Sequence, residues 1–78
     1  MSYEAEIQKL ENTKVAGFFG AADKKLWGQA DELILDEDCP MPIRIRALAV
    51  VDRITGDKGE LNAAAVEEYV AMVGDLQD

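Results

Sequence analysis

The fold of this chain is decided by residues 40–56, which read PMPIRIRALAVVDRITG. Apolar residues recur here at spacings of three and four, the period of one face of an α-helix. Pro40 and Pro42 suit the first turn, where a missing N–H costs little, and Gly56 suits the left-handed residue that ends a helix. Apart from its arginines the segment is nearly apolar all round, so we expect it to be the central helix.

The preceding segment predicts a second helix, from about Asp23 to about Leu35, with Asp31 and Glu32 facing water. It should stop at residues 36–40, because acids at a helix C-terminus oppose the helix dipole and proline restricts the residue before it. Its buried stripe is predicted to comprise Leu26, Ala30, Leu33 and Ile34, with Trp27 beside it.

The N-terminal region allows two interpretations. Ser2 is a good N-cap for a helix whose apolar stripe is Tyr3, Ile7 and Leu10. The helix can break at Asn12 and Thr13, because Thr13 can cap a new helical turn. Helical spacing then continues, but two glycines disfavour a helix there, so one kinked helix and two short ones both fit. The spaced residues are Val15, Phe18, Phe19, Ala22 and Leu26, and the glycines are Gly17 and Gly20.

The C-terminal segment predicts a last helix that Asn62 caps and Gly74 ends. Leu61 and Val66 have the spacing of a hydrophobic staple around that cap. The whole chain therefore predicts an all-α fold, a compact bundle of four helices or five short ones, and residues 1–78 are expected to form a single acidic helical domain.

Charge narrows the expected partners. Sixteen acids against eight bases give a net charge of −8, which repels nucleic acid and anionic lipid and favours basic partners. Residues 41–59 are the basic exception, and we expect Arg44 and Arg46 to neutralise flanking acids within the fold or across an oligomer. One cysteine, a polar N-terminus and no apolar run of about 18 residues predict a cytoplasmic protein without a membrane segment.

The sequence offers little for catalysis. Histidine is absent, and the acids beside Cys39 should disfavour its thiolate. A calcium-loop alignment starting at Asp52 fails at four of the five positions that such a loop needs. We therefore expect neither an enzyme, nor a cofactor, nor a bound metal.

Two sets of residues are candidates for partner binding. The apolar set is Phe18, Phe19 and Trp27, since adjacent phenylalanines cannot both point inward from a helix and an outward aromatic can anchor an interface. The acidic set occupies two predicted surfaces. It comprises Asp31, Glu32, Asp36, Glu37 and Asp38 on the first, and Glu67, Glu68 and Asp75 on the second.

These observations favour a small regulatory or inhibitory protein that binds another protein, with a basic surface, through an apolar patch rimmed by acids, and self-association remains open. One alternative is an acidic mimic of nucleic acid that blocks a DNA- or RNA-binding protein. In size, acidity and lack of catalytic groups the chain resembles the small phage proteins that disable host defence nucleases, anti-CRISPR proteins among them, although it shares no motif with them. Another alternative is an accessory subunit of a larger assembly.

Overall fold

A computed structural model describes residues 2–15 and 20–77, the last two of them for the backbone only. The described residues form four helices and no strand, so the all-α prediction is confirmed. The helices are α1 (Tyr3–Asn12), α2 (Ala21–Ile34), α3 (Met41–Thr55) and α4 (Ala63–Gln77). None of them is long and apolar enough to cross a membrane.

α3 is the central helix, as its sequence predicted. It packs against α1, α2 and α4, and α1 also packs against α2. Its residues make up the largest share of the buried core: Ile43, Ala47, Leu48, Val50, Val51 and Ile54. The Cα radius of gyration is 11.8 Å, close to the roughly 11.5 Å expected for a compact domain of this length.

The predicted ends of α1 and α3 are largely confirmed. The Ser2 hydroxyl accepts a hydrogen bond from the N–H of Ala5, and Gly56 ends α3 with a φ of +79°. Pro40 lies at the N-cap of α3, one position before the first turn that contains Pro42. The polar cap and the left-handed glycine thus act where the sequence placed them.

The junction of α1 and α2 corrects one expectation. Thr13 does not cap a new turn: it closes α1, because its N–H bonds to the Leu10 carbonyl and its hydroxyl donates to the Lys9 carbonyl at 2.8 Å. α2 starts at Ala21, two residues earlier than predicted, with Gly20 as its extended N-cap. The described residues of the N-terminal region therefore form two helix segments, one that ends at Asn12 and one that begins at Ala21.

α4 is longer and more peripheral than predicted. Asn62 caps it as expected, accepting from the N–H of Ala65 at 2.9 Å. Gly74 does not end the helix, which continues to Gln77. Glycine lowers helix stability, but it ends a helix only where it adopts the left-handed conformation, and among the described glycines Gly56 alone has a positive φ. Among the α4 side chains that the structure describes, Val66 alone is fully buried, and Leu61 before the cap is 43% exposed.

Candidate functional site

A groove lies between α3 and α4, and we call it the α3–α4 groove. It has a volume of about 700 Å³ and is bounded at one end by the turn that connects the two helices. Its floor is apolar and is formed by Trp27, Leu48, Val51, Ala64, Ala65, Tyr69 and Met72. Four carboxylates line its edges: Asp52, Asp57, Glu60 and Glu68.

The helical period explains how α4 supplies its wall. Ala65, Tyr69 and Met72 follow one another at spacings of four and three, so they form one stripe that faces the groove. Glu68 lies beside this stripe and carries a charge to its edge. Met72 is 54% exposed although it is large and apolar. The stripe is thus an apolar surface that the fold itself leaves partly uncovered.

A chain of hydrogen bonds holds the floor of the groove. The indole N–H of Trp27 donates to the Tyr69 hydroxyl at 3.0 Å, and that hydroxyl donates to Asp31 Oδ1. The bonds connect α2 to α4 and fix both aromatic rings. Asp31 is half-buried rather than facing water as the sequence predicted, because its carboxylate is turned toward Tyr69.

The acidity of these groups follows from their surroundings. Burial raises the pKa of Asp31, and the hydrogen bonds from Tyr69 and Trp27 oppose that rise. Burial and the hydrogen bond to Asp31 raise the pKa of Tyr69 to about 12. Burial, followed by the charge of Asp57, raises the pKa of Asp52 at the groove edge. Tyr69 therefore keeps its proton at neutral pH, and Asp52 lies half-buried at the groove edge.

The apolar candidates from the sequence are only partly placed. Trp27 lies in the floor of the groove. Phe18 and Phe19 lie outside the described residues. The aromatic that completes the floor is Tyr69.

The acidic candidates do not form one surface at the groove. Glu68 lines it, and Asp31 lies behind its floor. Three others belong to the α2–α3 connection, where the Tyr3 hydroxyl donates to Asp36 at 2.8 Å; these are Asp36, Glu37 and Asp38. The remaining three are exposed and are not groove residues: Glu32, Glu67 and Asp75.

Sequence reasoning missed three acids of the groove edge, Asp52, Asp57 and Glu60. The sequence does contain a signal for these acids, because Asp52 lies in the last turn of the central helix and the other two lie in the connection that follows it. A turn that connects two packed helices must lie at the end of the groove between them. Met72 was missed as well, although its spacing from Tyr69 places it on the same stripe.

Arg46 neutralises acids within the fold, as expected, whereas the described partner of Arg44 is a main-chain carbonyl rather than an acid. Arg46 pairs with Glu4 at 2.9 Å and with Glu11 on α1, and its Nε donates to Glu11 Oε2 at 3.0 Å. Arg44 Nε donates to the Ile34 carbonyl at 2.8 Å, which satisfies a free acceptor at the end of α2. The ion pairs that the structure describes join α3 to α1, on residues separate from the groove lining.

The remaining reactive groups are poorly placed for chemistry. Cys39 is 3% exposed. Burial and the charge of Asp36 raise the pKa of its thiol, which leaves it protonated at neutral pH. Over residues 2–15 and 20–77, no three acidic or cysteine side chains converge as a metal site would require.

No protein-family model matches the sequence, and the comparisons with curated proteins and with solved structures found no match either. The interpretation of the α3–α4 groove therefore rests on its own geometry and charge.

Proposed function

We propose that this protein is a non-enzymatic regulatory or inhibitory protein that acts by binding another protein through the α3–α4 groove. The observation that carries the proposal is the composition of the groove: an apolar floor with two aromatic rings and an exposed methionine, edged by four carboxylates. Aromatic and methionine side chains are enriched in the buried centre of protein interfaces, whereas polar residues form their rim. The partner would need an apolar anchor and a basic surface.

The chemistry of the site supports contact rather than catalysis. A general base that works near neutral pH needs a pKa close to that pH. The chain has no histidine, and the pKa of Tyr69 is about 12. Asp31 is engaged by Tyr69 and lies behind the groove floor. We also propose a cytoplasmic location, because a single, buried, free thiol is compatible with a reducing compartment.

Two alanines of α4 provide a matched test. Ala64 and Ala71 are both exposed helical residues, but only Ala64 lines the groove. Replacing Ala64 by arginine should fill the groove with a long charged side chain, whereas the same change at Ala71 adds the same charge elsewhere. Immobilised wild-type protein, Ala64→Arg and Ala71→Arg would be compared for capture from a lysate of the source organism.

The expected result is a protein that the wild type and Ala71→Arg retain and Ala64→Arg loses, with the same loss when the purified partner is titrated. Circular dichroism must show equal helicity for the three baits, as expected for surface substitutions. Retention of the same partner by Ala64→Arg would overturn the proposed surface. Turnover of a substrate by the purified chain would overturn the non-enzymatic assignment.

The acids of α4 favour a second candidate, an acidic mimic of nucleic acid. Glu67, Glu68 and Asp75 project from one helix, and residues 60–78 contain five acids and no base. A mimic would bind a DNA- or RNA-binding protein mainly through charge. Its affinity should therefore fall steeply with salt, and Glu67→Lys combined with Asp75→Lys should abolish binding. A partner anchored in the groove should respond weakly to both changes.

A further inference from the structure

We infer that the occupant of the α3–α4 groove is a basic amphipathic helix of the partner, which lays one apolar stripe on the groove floor and places lysine or arginine along both edges. The inference rests on the proposed function and adds the class of partner. It follows from three properties of the groove: the elements that form its walls, its length and the distribution of charge along its edges.

The walls favour a helix over an extended segment. They are formed by side chains of α3 and α4, helices whose main-chain N–H and C=O groups are used in their own hydrogen bonds. An extended segment on this apolar floor would leave its own main-chain groups without partners, because no sheet edge is available among the described residues. A helix satisfies those groups internally and presents only side chains.

The length of the groove fits about two helical turns. Its α4 wall extends from Ala64 to Met72, which at 1.5 Å per residue is about 12 Å. Two turns place apolar residues at positions i, i+3, i+4 and i+7 on one stripe. This matches a floor that is one stripe of side chains wide on α4 and is closed on the other side by Leu48 and Val51 of α3.

The charges specify a basic occupant. Asp52, Asp57 and Glu60 lie on the side of α3 and the connecting turn, and Glu68 lies on the side of α4. The described lining contains no lysine or arginine. The nearby cations Arg53 and Lys58 line a neighbouring groove that shares Asp52, Asp57 and Gly59 with this one, and no described ion pair joins either cation to these carboxylates. A half-buried carboxylate such as Asp52 gains most from a cation that the partner supplies.

A second copy of the chain fits the groove less well. It would bring another net charge of −8 to an edge that is already acidic. Among the described residues, its exposed lysine pair on α2, Lys24 and Lys25, is accompanied by the small exposed residues Ala21, Ala22 and Gly28 rather than by an apolar anchor. The charge and the surface of α2 both favour a different protein as the occupant.

Two designed peptides test the inference. The first is helical, with leucine at i, i+3, i+4 and i+7 and lysine at the other positions, and the second has every lysine replaced by glutamate. Trp27 is the single tryptophan of the chain and lies in the groove floor, so its emission reports occupancy directly. The lysine peptide should change this emission in a saturable manner at physiological salt, and the glutamate peptide should not.

Charge reversal separates groove binding from general attraction to an acidic protein. Glu60 and Glu68 are groove residues, whereas Glu32 and Glu67 lie on the surface outside the groove. The Glu60→Lys/Glu68→Lys variant should bind the lysine peptide about tenfold or more weakly than the wild type does, a loss of about 1.4 kcal/mol in binding free energy. The same variant should bind the glutamate peptide more tightly than the wild type does. Glu32→Lys/Glu67→Lys changes the net charge equally and should cause a far smaller loss.

Three results would overturn the inference: equal binding of both peptides by the wild type, equal losses in the two double variants, or a wild-type dimer that Ala64→Arg converts to a monomer in sedimentation. The last would make a second copy the occupant. If Ala64→Arg loses a natural partner while the lysine peptide fails to bind, the proposed function stands and the class of occupant is wrong. If the natural partner survives Ala64→Arg, the proposed function itself fails.

Discussion

The Tyr69 hydroxyl is used twice, as an acceptor from Trp27 and as a donor to Asp31. Phenylalanine at this position would keep the ring that packs against the core but would leave the indole N–H and the carboxylate without that partner. A half-buried polar group that loses its hydrogen bond retains the cost of its desolvation. The hydroxyl therefore contributes more to stability than its single oxygen atom suggests.

We predict that Tyr69→Phe lowers the free energy of unfolding by about 1–3 kcal/mol, measured by urea denaturation with circular dichroism. Tyr3→Phe is the matched control, because Asp36 keeps its second hydrogen bond, from the N–H of Asp38 at 2.9 Å. The control should lose less stability than Tyr69→Phe. Equal losses in the two variants would show that the hydrogen bonds between α2 and α4 contribute no more to stability than the Tyr3–Asp36 hydrogen bond does.

The sequence could predict that Tyr69 packs inward, but not which polar group meets its hydroxyl. Burial follows from helical spacing, and the buried positions of Leu26, Ala30 and Val66 agree with it. The contact between Asp31 and Tyr69 joins residues 38 positions apart. It depends on the rotation of α2 relative to α4, which the spacing of apolar residues within each helix does not determine.

At the scale of the helices, most starts and stops were predictable because they depend on local chemistry. Ser2, Asn62 and Gly56 act where their side-chain or backbone preferences place them. The predicted end at Gly74 was wrong because a glycine ends a helix only where its own backbone adopts the left-handed conformation, as Gly56 does. Gly28 and Gly74 are instead interior helical residues, and each has open space where the methyl group of an alanine would lie.

These two glycines lead to a stability prediction. Gly28→Ala and Gly74→Ala should each raise the free energy of unfolding by about 0.5–1 kcal/mol, because alanine loses less backbone entropy in a helix. Gly56→Ala is the contrasting control, since its φ of +79° is strained for any side chain and the change should cost about 1–2 kcal/mol. Urea denaturation measures all three. A destabilised Gly74→Ala would contradict the continuation of α4 beyond this residue.

The contact between α1 and α3 should depend on pH. The hydrogen bond from Arg46 lowers the pKa of Glu11, although burial opposes the shift. A carboxylate whose pKa is lowered by folding stabilises the fold above its ordinary pKa, and this contribution disappears as the pH falls through the lowered value. Arg46→Gln should therefore lower Tm by a few degrees near neutral pH, and the difference from wild type should close as the pH falls below the ordinary pKa of a glutamate carboxyl and through the lowered value.

Thermal unfolding by circular dichroism across this pH range is the measurement. Arg53→Gln is a useful control, because the Arg53 guanidinium donates to the main-chain carbonyl of Glu11 at 3.2 Å, a group that does not titrate. The charge of Arg53 also lowers the pKa of the Glu11 carboxyl, but it is the smallest of the causes. The effect of Arg53→Gln on Tm should vary less with pH. A difference between Arg46→Gln and wild type that stays constant down to the acid limit would mean that the Glu11 pair contributes no pH dependence.

At the scale of the whole molecule, the groove is the feature that the sequence predicts least well. Its residues come from α2, α3, the connecting turn and α4, so their proximity is a property of the packed bundle. The sequence did indicate an apolar patch rimmed by acids that includes Trp27. It could not indicate that α4 packs mainly on α3, which leaves its Met72 stripe at the edge of the core.

The overall charge gives a last prediction. The net charge of the protein is −8. The described ion pairs all involve Arg46, so their attraction is small compared with the repulsion among the remaining acids. Salt screens both effects, and repulsion should dominate because it acts among more groups. Raising NaCl from about 0.02 M to about 0.3 M should shift the urea midpoint upward by roughly 0.2–0.5 M. The Glu32→Lys/Glu67→Lys variant has half the net charge and should show a smaller shift of the urea midpoint. A wild-type midpoint that falls with salt would mean that the attraction between α1 and α3 outweighs the repulsion among the acids.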